Sequence, residues 1–100
     1  MDEAGFVFIP YSCALNPCKV HVAFHGCGES KEFLGDLYVK NTGYLEQAGP
    51  NEMVVVFPQA HSIPETNISG CWDFWGYTGP DYLTKDGPQA KAIRLMVERL

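Results

Sequence analysis

Val20-His21-Val22-Ala23-Phe24 is an apolar run that ends in His25-Gly26-Cys27-Gly28. Glycines at the end of a buried strand bring backbone N–H groups to the sheet edge with no Cβ in the way. Such donors suit an oxygen that becomes negatively charged during acyl transfer. His25, Gly26 and Cys27 are therefore the candidate oxyanion-binding residues. No matching nucleophile accompanies them: the Gly-x-Ser-x-Gly elbow that would expose an attacking serine occurs nowhere in the 100 residues.

The remaining chemistry-bearing residues suggest less. The serines are Ser12, Ser30, Ser62 and Ser69, none of them in a glycine elbow, and Ser30 reads as a helix cap. His21 and His25 lie four apart on a strand and so stand about 13 Å from each other on one face. That is too far to share an ion, and no zinc-type spacing of histidine and cysteine exists, so neither a metal nor another cofactor is expected. Gly70-Cys71-Trp72-Asp73-Phe74-Trp75-Gly76-Tyr77 is a dense aromatic cluster between glycines. Each of its aromatics has a plain alternative as packing for a loop-rich region. Asp73 and Asp81 could serve a triad, but with no serine to serve they read as turn residues.

Cys13, Cys18, Cys27 and Cys71 are even in number, and four cysteines allow three full pairings. Cys13 and Cys18 flank Leu15-Asn16-Pro17, so a local bridge is sterically natural, and Cys27 would then pair with Cys71 by elimination. The loops so closed are worth about 2 and about 4 kcal/mol in the chain-entropy model. Four free buried thiols are the alternative. A Cys27–Cys71 tether would bring Trp72, Phe74, Trp75 and Tyr77 to the rim of the His-Gly-Cys turn. Anion-stabilising donors beside an apolar aromatic surface suit a polyester or lipid-like acyl substrate. Bridged cysteines favour secretion, and Asn67-Ile68-Ser69 is a glycosylation sequon, a short pattern common enough by chance to add little. The start, Met1-Asp2-Glu3-Ala4, shows no basic, apolar leader.

Composition is globular, with 46% hydrophobic and 13% aromatic residues. Seven basic against twelve acidic residues give a net charge of −5 with no Lys/Arg run, which argues against nucleic acid and anionic membranes. No apolar stretch is long enough to span a bilayer.

The elements that must position the turn are readable from periodicity. Gly5 to Ile9 is a short strand closed by Pro10, and Lys19 to Phe24 a second, apolar on both faces except at His21, as in a strand covered on both sides. Glu29 to Gly49 is helical in character, with Phe33, Leu34, Leu37 and Tyr38 as its apolar stripe and a break at Gly43. Met53 to Pro58 is the strongest strand. Strand, helix and strand at this spacing make a βαβ unit with strands two and three parallel. Gln59 to Asp86 lacks periodicity, and Pro88 opens a terminal helix with Ala92, Leu95, Met96 and Leu100 on its apolar face.

Four motifs stand in order along the chain: His21-Val22-Ala23-Phe24-His25-Gly26-Cys27, Val56-Phe57-Pro58-Gln59, Gly70 to Gly79, and Lys85-Asp86-Gly87-Pro88-Gln89. Together they resemble the C-terminal part of extracellular poly(3-hydroxybutyrate) depolymerases, secreted serine esterases of the α/β-hydrolase superfamily. The resemblance runs from about Gly5 to Leu100. It implies a single partial domain over residues 1–100: part of a three-layer α/β-hydrolase sandwich, with about three strands, a long aromatic loop and a C-terminal helix. It also implies that the catalytic serine, aspartate and histidine precede this segment, as in circularly permuted members, so none is expected here. The oxyanion N–H of the family maps onto Cys27, and its substrate-crevice run onto Trp72, Asp73, Phe74 and Trp75. Phe74 stands where the family usually has tryptophan and offers a smaller stacking surface.

The expectation is a fragment of a secreted polyester or short-chain ester hydrolase, inactive in isolation. The alternative is a non-catalytic module that binds an apolar polymer or a partner through its aromatic loop. A sheet cut to three strands leaves an unpaired edge, so a missing N-terminal half or a second copy of the chain is the expected protein partner.

Overall fold

The computed structural model describes residues 1–2 and 4–100. Its backbone is organised by Met53-Val54-Val55-Val56-Phe57, a run of β-branched and aromatic residues that forms strand β3 (Met53–Phe57) at the sheet centre. Strand β1 (Phe6–Phe8) pairs antiparallel to it, with Phe6 opposite Phe57 and Phe8 opposite Val55. Strand β2 (Lys19–Val22) pairs parallel to it on the other side, with Lys19 opposite Met53 and Val22 opposite Val56. The order is β1-β3-β2, and the parallel βαβ unit is present as expected.

Strand β2 differs from expectation in length and in cover. It stops at Val22, although Ala23 still donates its N–H to Val56 at 2.8 Å before the chain turns away. It lies at the sheet edge, so Lys19 and Val20 are exposed and coverage from both sides is absent.

The expected long helix is three short ones: α1 (Lys31–Leu34), α2 (Leu37–Asn41) and α3 (Tyr44–Ala48). Gly43 breaks it, at φ 86°, but so does Gly35 at φ 60°. Both backbones are left-handed, a region that an L side chain enters only with strain. The second break explains why the expected stripe does not hold. Phe33, Leu34 and Leu37 are exposed, and Val39 and Ala48 are buried instead.

Side chains alternate across β3, so Met53, Val55 and Phe57 face α2 and α3. Ala23, Val39, Ala48, Val55 and Phe57 form the core there, packed by Phe6, Tyr38, Tyr44, Leu45 and Met53. The opposite face carries Val54 and Val56 with Val7, Val20 and Val22 beside them by register. The end of helix α4 (Pro88–Glu98) and the chain just beyond it approach this face, where Met96 and Leu100 share a cavity of about 210 Å³ with Val7 and Val56. Helix α4 buries none of its residues, and Leu95 lies on its wet side while Ile93 turns inward. The chain is thus a small α/β unit with a three-stranded mixed sheet and a C-terminal helix.

Ser30 illustrates how tertiary contacts displaced a local signal. It occupies the start of α1, but its hydroxyl is fully buried and has no hydrogen-bond partner among the described residues. The free N–H of Lys31, first in the helix, is served instead by the distant Gln59 Oε1 at 2.7 Å. An unpaired buried hydroxyl costs stability that its removal returns. Ser30→Ala is therefore expected to raise the unfolding free energy by about 1 kcal/mol in urea titrations, whereas loss of a working cap would lower it by a similar amount.

Candidate functional site

The His-Gly-Cys turn is held by four independent ties. Gly26 donates its N–H to Glu29 Oε1 at 2.8 Å, and Glu29 N–H donates back to Gly26 O at 3.2 Å. Gly28, at φ 74°, donates to Ser69 O at 2.6 Å. Cys27 is bonded to Cys71, with Cα atoms 4.4 Å apart. The His25 ring is buried and spans from the turn to the end of β3. Its Nε2 accepts the Ala60 N–H at 3.0 Å, which leaves Nδ1 to carry the proton toward Gly26 O at 2.8 Å.

These ties use up the donors on either side. Gly26 and Gly28 have spent their N–H groups, while Cys27 is exposed and its N–H meets no acceptor among the described residues. Of the three residues expected at an oxyanion site, Gly26 has spent its N–H, His25 is buried, and Cys27 is exposed with its N–H open.

The disulfide brings the aromatic loop to this place. Trp72 donates its indole N–H to His25 O at 3.2 Å and packs against Phe24 and His25, with ring centroids 5.3 and 5.2 Å apart. Tyr38, which sequence periodicity had only as a stripe residue, donates its hydroxyl to Phe24 O at 2.7 Å. Phe24 and Trp72 line an open groove of about 320 Å³ with Tyr82, Gln89, Ala90 and Ile93. Phe74 and Trp75 stack edge to face at 4.6 Å and are exposed, and Tyr77 lies 4.9 Å from Trp75. The cluster therefore divides into Trp72 by the turn and a separate Phe74-Trp75-Tyr77 group.

Asp73 organises that second group. Its carboxylate accepts the N–H groups of Trp75, Gly76, Tyr77 and Thr78 and the Thr78 hydroxyl, at 2.6 to 3.2 Å. Burial works to raise its pKa, but the Thr78 hydroxyl and the backbone donors together pull it down to about 2. Gln89 of α4 clamps the same loop, accepting Asp73 N–H at 2.8 Å and donating to the Tyr77 hydroxyl at 2.7 Å. Tyr77 passes its own proton to Cys71 O at 2.9 Å, and burial pushes its pKa up, so it remains a donor. Gln89 and Gln59 carried no sequence signal of these roles, because each acts through partners distant in the chain.

Cys13 and Cys18 are bridged in the exposed segment around the 3-10 turn Tyr11–Ala14, so both pairings read from the sequence are present. Asn67 corrects the sequon reading. Its side chain is 2% exposed, with Oδ1 accepting Cys71 N–H at 2.8 Å and Nδ2 donating to Cys71 O at 2.9 Å. A glycan on that nitrogen would have no room and would break the bond that sets the loop. Among the described residues no cluster of three or more His, Cys, Asp or Glu is placed to hold a metal ion, and no helix is long and apolar enough to cross a membrane.

No family model matches the chain. A poly(3-hydroxybutyrate) depolymerase from Delftia acidovorans is 42% identical over 106 residues, covering 100% of this chain and 20% of the relative. A polyhydroxybutyrate depolymerase from Talaromyces funiculosus is 36% identical over 112 residues, covering 100% of this chain and 33% of the relative. In sequence and fold, the chain is similar to the C-terminal part of PHB depolymerases. The crystal structure of PHB depolymerase from Penicillium funiculosum superposes with a TM-score of 0.77 at 32% identity, over 99% of this chain and 34% of that one. A serine-to-alanine variant of a PHB depolymerase, complexed with an R3HB trimer, gives 0.75 at the same identity and coverage. The chain thus spans a fifth to a third of the length of the PHB depolymerases it matches.

Proposed function

We propose that this chain is part of a secreted serine esterase of the PHB depolymerase type, hydrolysing polyester or short-chain carboxylic ester bonds. Its share is the oxyanion donor and part of the substrate crevice. The open Cys27 N–H, on a residue bridged to Cys71 next to the Trp72 that lines the aromatic groove, carries this reading. An ester carbonyl oxygen placed there would accept that N–H. The bond would strengthen as attack turns the oxygen into an anion, which is the condition for lowering a barrier. Trp72, Phe74, Trp75 and Tyr77 offer apolar surface to the substrate, with Asp73 shaping the loop that carries them. Nucleophile, acid and base come from outside these residues. Two disulfides fit an oxidising, extracellular setting. In a larger esterase sheet, the free edge of β2 and the half-open valine face would meet further strands of a full α/β-hydrolase sandwich, supplied by an N-terminal half. The same edge offers a route to self-association.

The test replaces the matching third of the Penicillium funiculosum enzyme with this chain and follows hydrolysis of p-nitrophenyl butyrate. The chimera is expected to be active. Cys27→Pro removes the N–H and the disulfide, while Cys27→Ala removes the disulfide alone. Pro is expected to lower kcat about 100-fold more than Ala, the loss typical of one oxyanion donor. An inactive but folded chimera would point instead to a binding module, and equal effects of Pro and Ala would remove Cys27 from the mechanism.

A further inference from the structure

We infer that Glu29 is a positioning residue for the Cys27 N–H, deepening the esterase reading on which it rests. Glu29 and Gly26 bond each other twice, side chain to backbone and backbone to backbone, in the manner of a capping box wrapped around Cys27. This closes the turn from below while Ser69 and Cys71 hold it from the other side.

The same pair makes the position of the Glu29 carboxylate sensitive to what stands at residue 26. A Cβ there would collide with the Glu29 carboxylate oxygen, and that side chain is its only neighbour within 4 Å. Gly26 does not have a positive φ, so its lack of a side chain is not required by backbone conformation. A side chain at position 26 would displace the flexible Glu29 carboxylate from the place where it accepts this N–H. Gly26 and Glu29 thus act as one device, in which the second residue occupies the donor of the first while the adjacent Cys27 N–H keeps no acceptor among the described residues.

The device needs an acceptor oxygen at position 29, not a charge. An anion beside an oxyanion donor opposes the charge that develops in the transition state. Glu29→Gln keeps the acceptor and removes the opposition, and Glu29→Ala removes both.

Two measurements separate this inference from the esterase reading. In the 100-residue chain, amide hydrogen exchange at Gly26 is expected to speed up about tenfold in Glu29→Ala and to stay near its native rate in Glu29→Gln. Gly26→Ala is expected to destabilise the native chain but to be tolerated in the Glu29→Ala background, a non-additive pair. In the chimera, Glu29→Ala is expected to lower kcat about tenfold with KM within twofold, and Glu29→Gln to match or exceed the parent. Unchanged exchange or additive Gly26 and Glu29 effects would overturn the lock. A Gln variant as impaired as Ala, or a loss confined to KM, would overturn the positioning role. An inactive parent chimera would count against the esterase reading alone, with the exchange and non-additivity results still deciding the lock.

Discussion

Replacing Cys27 and Cys71 together by alanine is expected to cost about 4 kcal/mol of unfolding free energy, against about 2 for the Cys13 and Cys18 pair. The difference follows from the chain each bridge closes, with sequence separations of 44 and 5. Tertiary structure widens it. The longer bridge joins the end of β2 to the aromatic loop, where Cys71 is buried and its backbone is bonded by Asn67 and Tyr77. The shorter one ties an exposed segment to itself. For a domain of this size, about 4 kcal/mol is a large share of a total of about 5–15 kcal/mol. Guanidinium unfolding of the two double variants checks the ranking. Equal losses would show that the aromatic loop holds to the His-Gly-Cys turn without its tether.

Asp73→Ala is expected to cost about 3 kcal/mol and to unlock the loop. Five hydrogen bonds converge on this carboxylate, from Trp75, Gly76, Tyr77 and twice from Thr78. Bonds to an ionised acceptor are the stronger kind, but the loop is half-exposed, and water replaces part of what is lost. The pH dependence has a definite sign. The folded pKa of about 2 lies below the ordinary carboxylate value of about 3.9. The stabilisation is therefore complete above about pH 4 and is lost as pH falls toward about 2. Urea midpoints of the native chain and Asp73→Ala should differ at neutral pH and draw together only as pH falls below about 2, with tryptophan fluorescence reporting the loop. A constant difference across that range would mean that the carboxylate charge does not hold the turn.

The relation between the two results is physical. Cys71 fixes where the loop starts, and Asp73 fixes its shape from there to Thr78. Gln89 then fastens both to α4. Phe74 and Trp75 remain exposed because the loop spends its polar groups on itself and leaves its apolar ones outward.

Sequence alone determined the central strand, the parallel βαβ pairing, both disulfides and the place of the His-Gly-Cys turn. Each rests on a local pattern or a short count: a run of β-branched residues, a crossover length, or four cysteines with one obvious pair. Tertiary structure decided the rest. Gly35 broke a helix that Gly43 was expected to break alone, because a left-handed backbone at one glycine is not visible in apolar spacing. Ser30 lost its capping role to Gln59, and Asn67 its exposure to Cys71, because both answers came from residues far along the chain. The open donor at Cys27 is of the same kind. The residue types allowed three candidates; the bond of Gly26 to Glu29 removed one and the burial of His25 set apart another, which left the exposed Cys27.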